Sequence, residues 1–415
     1  VDLPLGDEDE AAPSAPSPPP TYAPRPPTAP PKGGSRFQAS AFEVTVSDPS
    51  KQGSGMNAFV SYKVTCKTSL QQYENATNSV TRRYNHFMWL HAQLAEQYPC
   101  HFIPALPEKS GITPLFNRFQ EDFVESRRIA LEQYLQRLVQ HPVIQDSKPL
   151  QTFFEGSEDV MKLPEEKKPS FFGSIMKDMS IAPKLPPPPD EEFDGMKTYI
   201  KEMEGQLSEL HKFLERLVRR RKDLASSLAE LGLTLITLGN HEQQSGDQES
   251  ATASKAFTDL GSCCDHLAIS IQHQANDEAR KALMVVDDWL RVIYGVKEAL
   301  KTRAMAAGHT LMLQQEVDRK TRTLASGQQG KVSISESDVM EASRRVEESR
   351  QREEMLGQRV REEMRRLKVR RNEELRQMLC GFVSVQLKYG SEVQSSWESV
   401  LPSLVNGIDP TALQH

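Results

Sequence analysis

The segment Arg82-Arg83-Tyr84-Asn85-His86-Phe87 decides the fold of the first half of the chain. Two adjacent arginines close a predicted strand over Ser79 to Tyr84, and an apolar pattern typical of a helix begins at Phe87. Paired guanidinium groups beside a tyrosine ring are suited to bind a phosphorylated sugar, because guanidinium makes bidentate hydrogen bonds to phosphate. We therefore predict an anion site where this strand meets this helix.

Further strand and helix patterns surround this segment. Two more strands and two helices are predicted, at residues 42–46, 59–64, 87–98 and 119–139. Turn residues at Asp48-Pro49 and from Gly53 to Gly55 separate the first two strands. Between the helices, the prolines of Ile103-Pro104-Ala105-Leu106-Pro107 require an extended loop. Residues 41–156 are thus predicted to form a small α+β domain with a three-stranded sheet plus helices.

Two more basic residues extend the predicted anion site. Lys109 follows the proline loop and can supply a point charge to a second phosphate, while Arg127 lies in the second helix. The alternative is that these arginines are ordinary charges at a strand end and on a solvated helix face. The ordered set around a Pro-x-x-Pro loop favours the anion site.

Apolar residues in two segments are candidates for insertion into a membrane surface. A loop after Lys109 carries Ile112, Leu115 and Phe116, and each methylene buried in the interfacial layer would contribute about 0.8 kcal/mol. The alternative is that Phe116 packs inside the domain. In the predicted linker at 157–190, helical spacing places five apolar residues on one face: Phe171, Phe172, Ile175, Met176 and Met179. This short helix needs a support, either the membrane, which it would wedge, or the long helices, as a strut.

The first 40 residues are predicted to be disordered. Four acidic residues at 7–10 precede ten prolines in the 22 residues from Ala11 to Lys32, with no apolar periodicity. Such a composition cannot bury enough surface to offset the entropy of ordering. This acidic, proline-rich tail is either a plain linker or a ligand for an SH3 or WW domain.

Residues 191–404 are predicted to be helical almost throughout. Apolar residues from Met203 to Leu238 recur at alternating intervals of four and three, a heptad seam interrupted only by Arg221. We interpret Arg221 as a register-setting polar residue or a side chain that snorkels to solvent. Breaks are predicted at 239–246 and 327–330, a second helix from about 253, and a third from about 335 to 399. The third would be about 90 Å long, so we expect an all-α, elongated three-helix coiled coil.

Basic residues cluster at two places in this helical half. They are Arg219, Arg220 and Lys222 on the first helix, and Arg319, Lys320, Arg322 and Lys331 near the last turn. Each such charge close to a surface of anionic lipid would contribute about 1 kcal/mol. From Ala342 to Arg376 the basic residues are interleaved with glutamates, which favours a solvated face with internal ion pairs.

The composition argues against several classes of protein. Lys and Arg number 51 against 57 Asp and Glu, so a net charge of −6 disfavours nucleic-acid binding by the whole molecule. Five cysteines without Cys-x-x-Cys suggest neither a disulfide framework nor a zinc site, and favour a reducing cytoplasmic compartment. No apolar run approaches the roughly 18 residues that span a bilayer, so we expect neither an anchor nor a signal peptide.

No residue pattern supports catalysis. The stretch from Gly327 to Ser333 lacks the spacing of a phosphate-binding loop, and His-Glu-x-x-His and Gly-x-Ser-x-Gly are absent. The histidines are scattered. We therefore expect a non-enzyme without a metal or other cofactor.

The motifs around the predicted anion site resemble those of a known family. Arg83-Tyr84 with Phe87, Pro104 to Pro107, and Arg127 to Leu135 resemble the three motifs of the Phox-homology (PX) domain, although Ile103 replaces the first proline of the common loop. With the helical half, residues 41–404 resemble the PX-BAR sorting nexins of the retromer-associated group. The resemblance implies that residues 191–404 are a BAR domain, which dimerises and responds to membrane curvature.

The resemblance also implies roles for the site residues and a ligand. Arg83 would hold the 3-phosphate, Tyr84 would pack under the inositol ring, Lys109 would meet the 1-phosphate and Arg127 would bond the 4- and 5-hydroxyls. The implied lipid is phosphatidylinositol 3-phosphate.

The family implies a function as well. It would be a peripheral protein on the cytosolic face of early endosomes, with the trans-Golgi network as a second candidate, that senses or induces curvature in retromer-linked sorting and recycling of cargo. Its implied partners are anionic membrane, the retromer core complex, and either a second copy or a related sorting nexin as dimer partner. The alternative is a PX-addressed coiled-coil scaffold that recruits partners without bending membrane.

Overall fold

The computed structural model describes residues 42–54, 58–107, 120–161, 188–244, 247–326 and 334–405. Several of the predicted features lie outside these ranges. They are the tail at 1–40, most of the linker with Phe171, Phe172, Ile175, Met176 and Met179, the loop with Lys109, Ile112, Leu115 and Phe116, and Lys331.

Three antiparallel strands form a sheet in the order β1-β2-β3. They are β1 (Phe42–Gln52), β2 (Phe59–Thr68) and β3 (Thr77–Arg83). The alternating residues Phe42, Val44 and Val46 face the core, as their pattern predicts. Asp48-Pro49 is not a turn between strands, because β1 continues through it. The pairing register shifts there and Asp48 adopts a φ of 50°, so the polar pair forms a bulge.

Helices pack on one side of the sheet and protect its edge. They are α1 (Tyr84–Gln97), α2 (Glu121–Val139) and α3 (Lys148–Glu155), with 3₁₀ turns at Ile144–Asp146 and Glu158–Val160. Along β1, the Val46 amide donates to Glu132 Oε2 at 2.8 Å, and Arg128 Nη1 donates to the Val46 carbonyl at 2.5 Å. Side chains of α2 thus form hydrogen bonds with backbone groups that an edge strand would otherwise expose to solvent. The sequence did not predict α3, whose eight residues are too few for a clear period.

Three long helical stretches make up the second half. They are α4 (Glu191–Gln243), then α5 (Gln248–Glu278) joined by a π-helical turn (Ala279–Leu283) to α6 (Met284–Ala325), then α7 (Glu336–Val405). The break predicted at 239–246 begins later than expected, because α4 runs on to Gln243 and α5 begins at Gln248. A β-carbon at Gly239 would lie 2.8 Å from the Ser254 carbonyl oxygen, so this glycine permits close helix packing and does not end the helix.

The predicted heptad seam of α4 divides into two parts. Met203 and Leu207 are buried in the core shared with α6 and α7. Further along, the buried positions are instead the small residues Ala225, Gly232 and Gly239. Three seam leucines of this second part, Leu224, Leu231 and Leu238, remain 48%, 48% and 41% exposed. The apolar seam therefore continues onto a face that the described part of the chain leaves open.

Arg221 lies in a polar layer between helices. Its Nε donates to Glu278 Oε2 at 2.8 Å, and its two terminal nitrogens donate to Gln274 and Gln386 at 3.0 and 2.9 Å. Gln386 in turn donates to the other oxygen of Glu278 at 2.6 Å. Because its donors are used within the bundle, Arg221 does not snorkel to solvent; its interpretation as a register-setting residue stays a prediction.

Candidate functional site

Tyr84 and Arg127 meet at the junction of β3, α1 and α2. The Arg127 guanidinium lies 5.1 Å from the centre of the Tyr84 ring and 4.3 Å from that of Phe123. The Tyr84 hydroxyl donates to the Pro107 carbonyl at 2.5 Å, which attaches the ring to the extended proline segment. The structure thus brings together the three predicted motifs, and Lys109, outside the described residues, follows Pro107 by two positions.

Arg83 is the last residue of β3, and its side chain is exposed. Its guanidinium lies 5.4 Å from the centre of the Phe59 ring, and its Nε donates to Nε2 of His86 at 3.3 Å. The Arg83 amide also approaches His86 Nδ1 at 3.3 Å. Burial lowers the pKa of His86, and a neutral imidazole accepts at only one nitrogen, so the two contacts exclude each other. The Arg83 side chain can therefore exchange this weak contact for a ligand.

Arg82 has a structural role that the sequence did not reveal. It is 2% exposed, and its guanidinium donates to the carbonyls of Phe153 at 2.9 Å and Gly156 at 2.6 Å. Burial lowers the pKa of Arg82 to about 10, which still leaves it charged at neutral pH. This arginine fastens α3 to the end of β3 and is not available to a ligand.

Electrostatics around Arg127 favour an anionic ligand. Burial lowers the pKa of Arg127, while its neighbours Tyr62 and Tyr84 act in the opposite direction. The buried Tyr62 hydroxyl, in turn, has its pKa raised by burial, so it stays protonated and neutral. Arg127 is therefore a half-buried cation held among aromatic rings. Such a partly desolvated cation binds an anion or a sugar hydroxyl more strongly than one in open water.

The small domain is held on the long helices by buried ion pairs that the sequence did not predict. Arg137 of α2 donates to Asp288 Oδ2 at 2.6 Å and to Glu374 Oε2 at 2.7 Å, and lies 4.9 Å from the centre of the Trp289 ring. Burial opposes the charge, but the two carboxylates outweigh it and raise the pKa of Arg137. Their separations in sequence, 151 and 237 residues, leave no local pattern to detect.

A second polar cluster at this contact has the composition of a metal site. His101 Nδ1 and His141 Nε2 lie 3.1 and 3.0 Å from Oε1 of Glu363. However, Nδ1 of His141 accepts hydrogen bonds from the amides of Val143 and Ile144. In neutral His141 the proton is therefore on Nε2, the nitrogen that would have to bind a metal. Arg366 also donates to Glu363 at 2.8 Å. These donors indicate a hydrogen-bonded contact rather than a metal centre.

The predicted basic groups lie on two long helices. Arg219 and Arg220 of α4 and Arg319 and Arg322 of α6 are exposed, and Lys222 is half-buried. Lys320 forms an ion pair with Glu316 at 3.0 Å, which partly neutralises its charge. On α7 the expected internal pairs are present, including Arg344 with Glu341 and Glu348 at 2.8 and 2.7 Å.

Two open apolar stripes run along the long helices. The first consists of the exposed leucines of α4, which are Leu224, Leu231 and Leu238. The second stripe lies on α7, and it consists of Val383, Leu387, Trp397 and Leu401. These residues recur at heptad-like spacing, and Leu387 is 71% exposed. Apolar stripes of this length are typical of a surface that another helical bundle covers. Among the described residues, no helix is long and apolar enough to cross a membrane.

Comparison with known families assigns both halves. The family described as Vps5 C terminal like matches residues 170–403, and the PX domain family matches residues 71–157. The fold is similar to a chain in the cryo-EM structure of the SNX-BAR Mvp1 tetramer, with a TM-score of 0.65 and 15% identity, over 86% of this chain and 99% of that one.

Curated relatives match along most of the chain. Sorting nexin 1 of Arabidopsis thaliana is 32% identical over 378 residues, which cover 87% of this chain and 92% of the relative. Sorting nexin-1 of Homo sapiens is 27% identical over 88% of this chain and 72% of its own length. Sorting nexin-30 of Xenopus tropicalis is 24% identical over 88% and 77%.

Proposed function

The chain belongs to the sorting nexins that join a PX domain to a Vps5-like helical domain, and on this premise we propose that it binds phosphatidylinositol 3-phosphate on endosomes and curves the membrane there. The family consists of non-enzymatic adaptors in membrane-associated trafficking. The observation that carries the proposal is the contact of Arg127 with Tyr84 beside an exposed Arg83.

Each site residue contributes a different interaction to the proposed headgroup pocket. Arg83 binds the 3-phosphate through a guanidinium that is exposed and weakly held by His86. Tyr84, fixed by Pro107, offers its ring to the inositol, and Arg127 donates to the 4- and 5-hydroxyls. Lys109 meets the 1-phosphate. Ile112, Leu115 and Phe116 enter the interfacial layer beside it.

The helical half provides the second membrane contact. Two copies, or this chain and a related sorting nexin, pair through the open stripes on α4 and α7, because burying those leucines removes apolar surface from water. The exposed arginines of α4 and α6 face anionic lipid, and the linker residues 170–181 wedge between headgroups. Linking weak contacts in one dimer multiplies their affinities. Such dimers shape tubules for retromer-linked recycling from early endosomes.

Replacing Arg83 by alanine tests the pocket. We expect the variant to lose at least tenfold in affinity for vesicles that contain phosphatidylinositol 3-phosphate, because charged hydrogen bonds to phosphate contribute roughly 1.5–3 kcal/mol each. The measurement is vesicle flotation with full-length protein.

Lys67→Ala is the matched control. It removes the same charge from β2, but Lys67 pairs opposite Thr77, whereas Arg83 pairs opposite Ser61, about 20 Å along the strand. Lys67→Ala should bind as the wild type does. Wild-type affinity of Arg83→Ala would remove the pocket assignment.

A further inference from the structure

One extended segment, Cys100 to Pro107, runs along a face of α6. The Cys100 thiol donates to the Ala299 carbonyl at 3.4 Å, and the Ala105 amide donates to the Arg291 carbonyl at 3.0 Å. Between these contacts, a β-carbon on Gly295 would lie 2.0 Å from the Ile103 carbonyl oxygen. Residues 291, 295 and 299 are spaced by four and share one helix face. The segment therefore follows α6 in the antiparallel direction, at a distance that only glycine permits.

Apolar contacts embed the start of this segment in the helical core. Cys100 and Phe102 belong to the same buried cluster as Trp289 and Val296 of α6, although their neighbours in sequence belong to the small domain. The next residue, Ile103, packs in the core of the small domain itself. The segment thus joins the two cores, and its position depends on both.

Glu363 of α7 holds the same region through hydrogen bonds. It is 4% exposed and accepts from His101 at 3.1 Å, within the segment Cys100 to Pro107, and from His141 at 3.0 Å, just after α2. Burial alone would raise the pKa of Glu363, but these donors hold it at about 2, so the carboxylate is charged at any physiological pH. One buried anion on α7 therefore fixes two elements of the small domain.

The far end of the segment forms a wall of the proposed headgroup pocket. The Pro107 carbonyl accepts from the Tyr84 hydroxyl at 2.5 Å, and the Tyr84 ring stacks against Arg127. We infer that the long helices α6 and α7 set the geometry of the headgroup pocket, with Gly295 and Glu363 as positioning residues that act through residues 100–107. The inference rests on the proposed function, since it takes a 3-phosphorylated inositol lipid as the ligand.

Two variants of the full chain test this inference. Gly295→Ala pushes the Ile103 carbonyl away from α6, and Glu363→Gln removes the charge that holds His101 and His141. Titration calorimetry with a soluble, short-chain phosphatidylinositol 3-phosphate measures the pocket alone, without membrane contacts. We expect each variant to bind this lipid at least fivefold more weakly than the wild type.

Two matched control variants distinguish a positioning role of Gly295 and Glu363 from a general loss of stability. Gly205→Ala changes a glycine of α4 that has nothing within 4 Å of the added carbon, and Glu362→Gln changes the neighbour that shares Arg366 with Glu363. Both controls should bind the soluble lipid as the wild type does. Binding of Gly295→Ala and Glu363→Gln to phosphatidylserine vesicles without the 3-phosphorylated lipid should also be unchanged.

The possible outcomes are distinct. If the wild type fails to bind the soluble lipid, the proposed function itself is wrong. If the wild type binds and Gly295→Ala and Glu363→Gln bind equally well, the inference is overturned. Equal loss of soluble-lipid and phosphatidylserine binding would overturn it as well, because it would assign both residues to general stability. Should Gly295→Ala fail to fold, Glu363→Gln decides alone.

Discussion

Arg82 and Arg83 are adjacent in sequence but have opposite environments. Successive side chains of a strand point to opposite faces, so one arginine of the pair enters the domain and the other faces outward. Arg82 donates hydrogen bonds to the carbonyls of Phe153 and Gly156. Arg83 stays exposed beside Phe59. The pair therefore combines an internal fastening with a candidate ligand-binding cation.

Replacing Arg82 by alanine should destabilise the protein strongly. Three hydrogen bonds from a charged donor to the carbonyls of Thr81, Phe153 and Gly156 are lost, so we expect the free energy of unfolding to fall by about 3 kcal/mol. Urea denaturation of the full chain measures it. Arg83→Ala, an exposed substitution, should change it by less than about 0.5 kcal/mol. Similar losses in the two variants would contradict the division of roles.

The sequence indicated the members of this candidate site but not all of their contacts. Arg83, Tyr84 and the proline segment belong to short motifs, and such motifs can be detected locally. Whether Arg82 or Arg83 is buried depends on which face of β3 each side chain occupies, and the predicted strand did not define this. Glu363 lies 262 residues from His101, and a contact at that distance has no local signature.

At the scale of elements, small residues decide how α4 and α5 pack. A β-carbon on Gly261 would lie 2.8 Å from the Gly232 carbonyl oxygen and 3.0 Å from the Ile236 amide nitrogen. Both are backbone atoms, so no side-chain rotation can relieve the contact. The two helices are therefore as close as their backbones allow. This close approach turns Leu224 and Leu231 outward, because the glycine side of α4 faces α5.

Gly261→Ala should separate the two helices. Alanine favours a helix by about 1 kcal/mol over glycine, but overpacking typically costs about 1–3 kcal/mol, so we expect a net loss of stability. Gly205→Ala has open space around it and should instead gain up to about 1 kcal/mol. Urea denaturation of both variants provides the comparison. A gain in stability for Gly261→Ala would disprove the close packing.

Helix periodicity was predictable, whereas its interruptions were not. The four-three spacing predicted the first long helix, but the predicted break began at Gly239, where the structure has close packing. A glycine that ends a helix and one that admits a neighbour look the same in sequence. The π-helical turn at Ala279–Leu283 likewise contains no glycine or proline that would indicate it in the sequence.

At the scale of the whole molecule, the open apolar stripes of α4 and α7 indicate that a second helical bundle covers them. Leu231 lies within the exposed stripe of α4, and Leu233 lies on the other side of the same helix. Both leucines are exposed, so their replacement should affect the folding of one chain equally little. Their positions differ only with respect to the stripe.

Leu231→Asp should weaken self-association, because it places a charge within an apolar interface. We expect the dimer dissociation constant to rise at least tenfold in analytical ultracentrifugation. Leu233→Asp introduces the same charge outside the stripe and should leave the dissociation constant unchanged. A dimer that tolerates Leu231→Asp but not Leu233→Asp would place the interface elsewhere.

Vesicle binding as a function of both lipid composition and diameter measures headgroup recognition and curvature dependence in one experiment. The full chain is floated with vesicles of small and large diameter, each with and without phosphatidylinositol 3-phosphate, at constant net lipid charge. We expect binding that requires the 3-phosphorylated lipid and is strongest on the small vesicles. Equal binding to all four populations would contradict it.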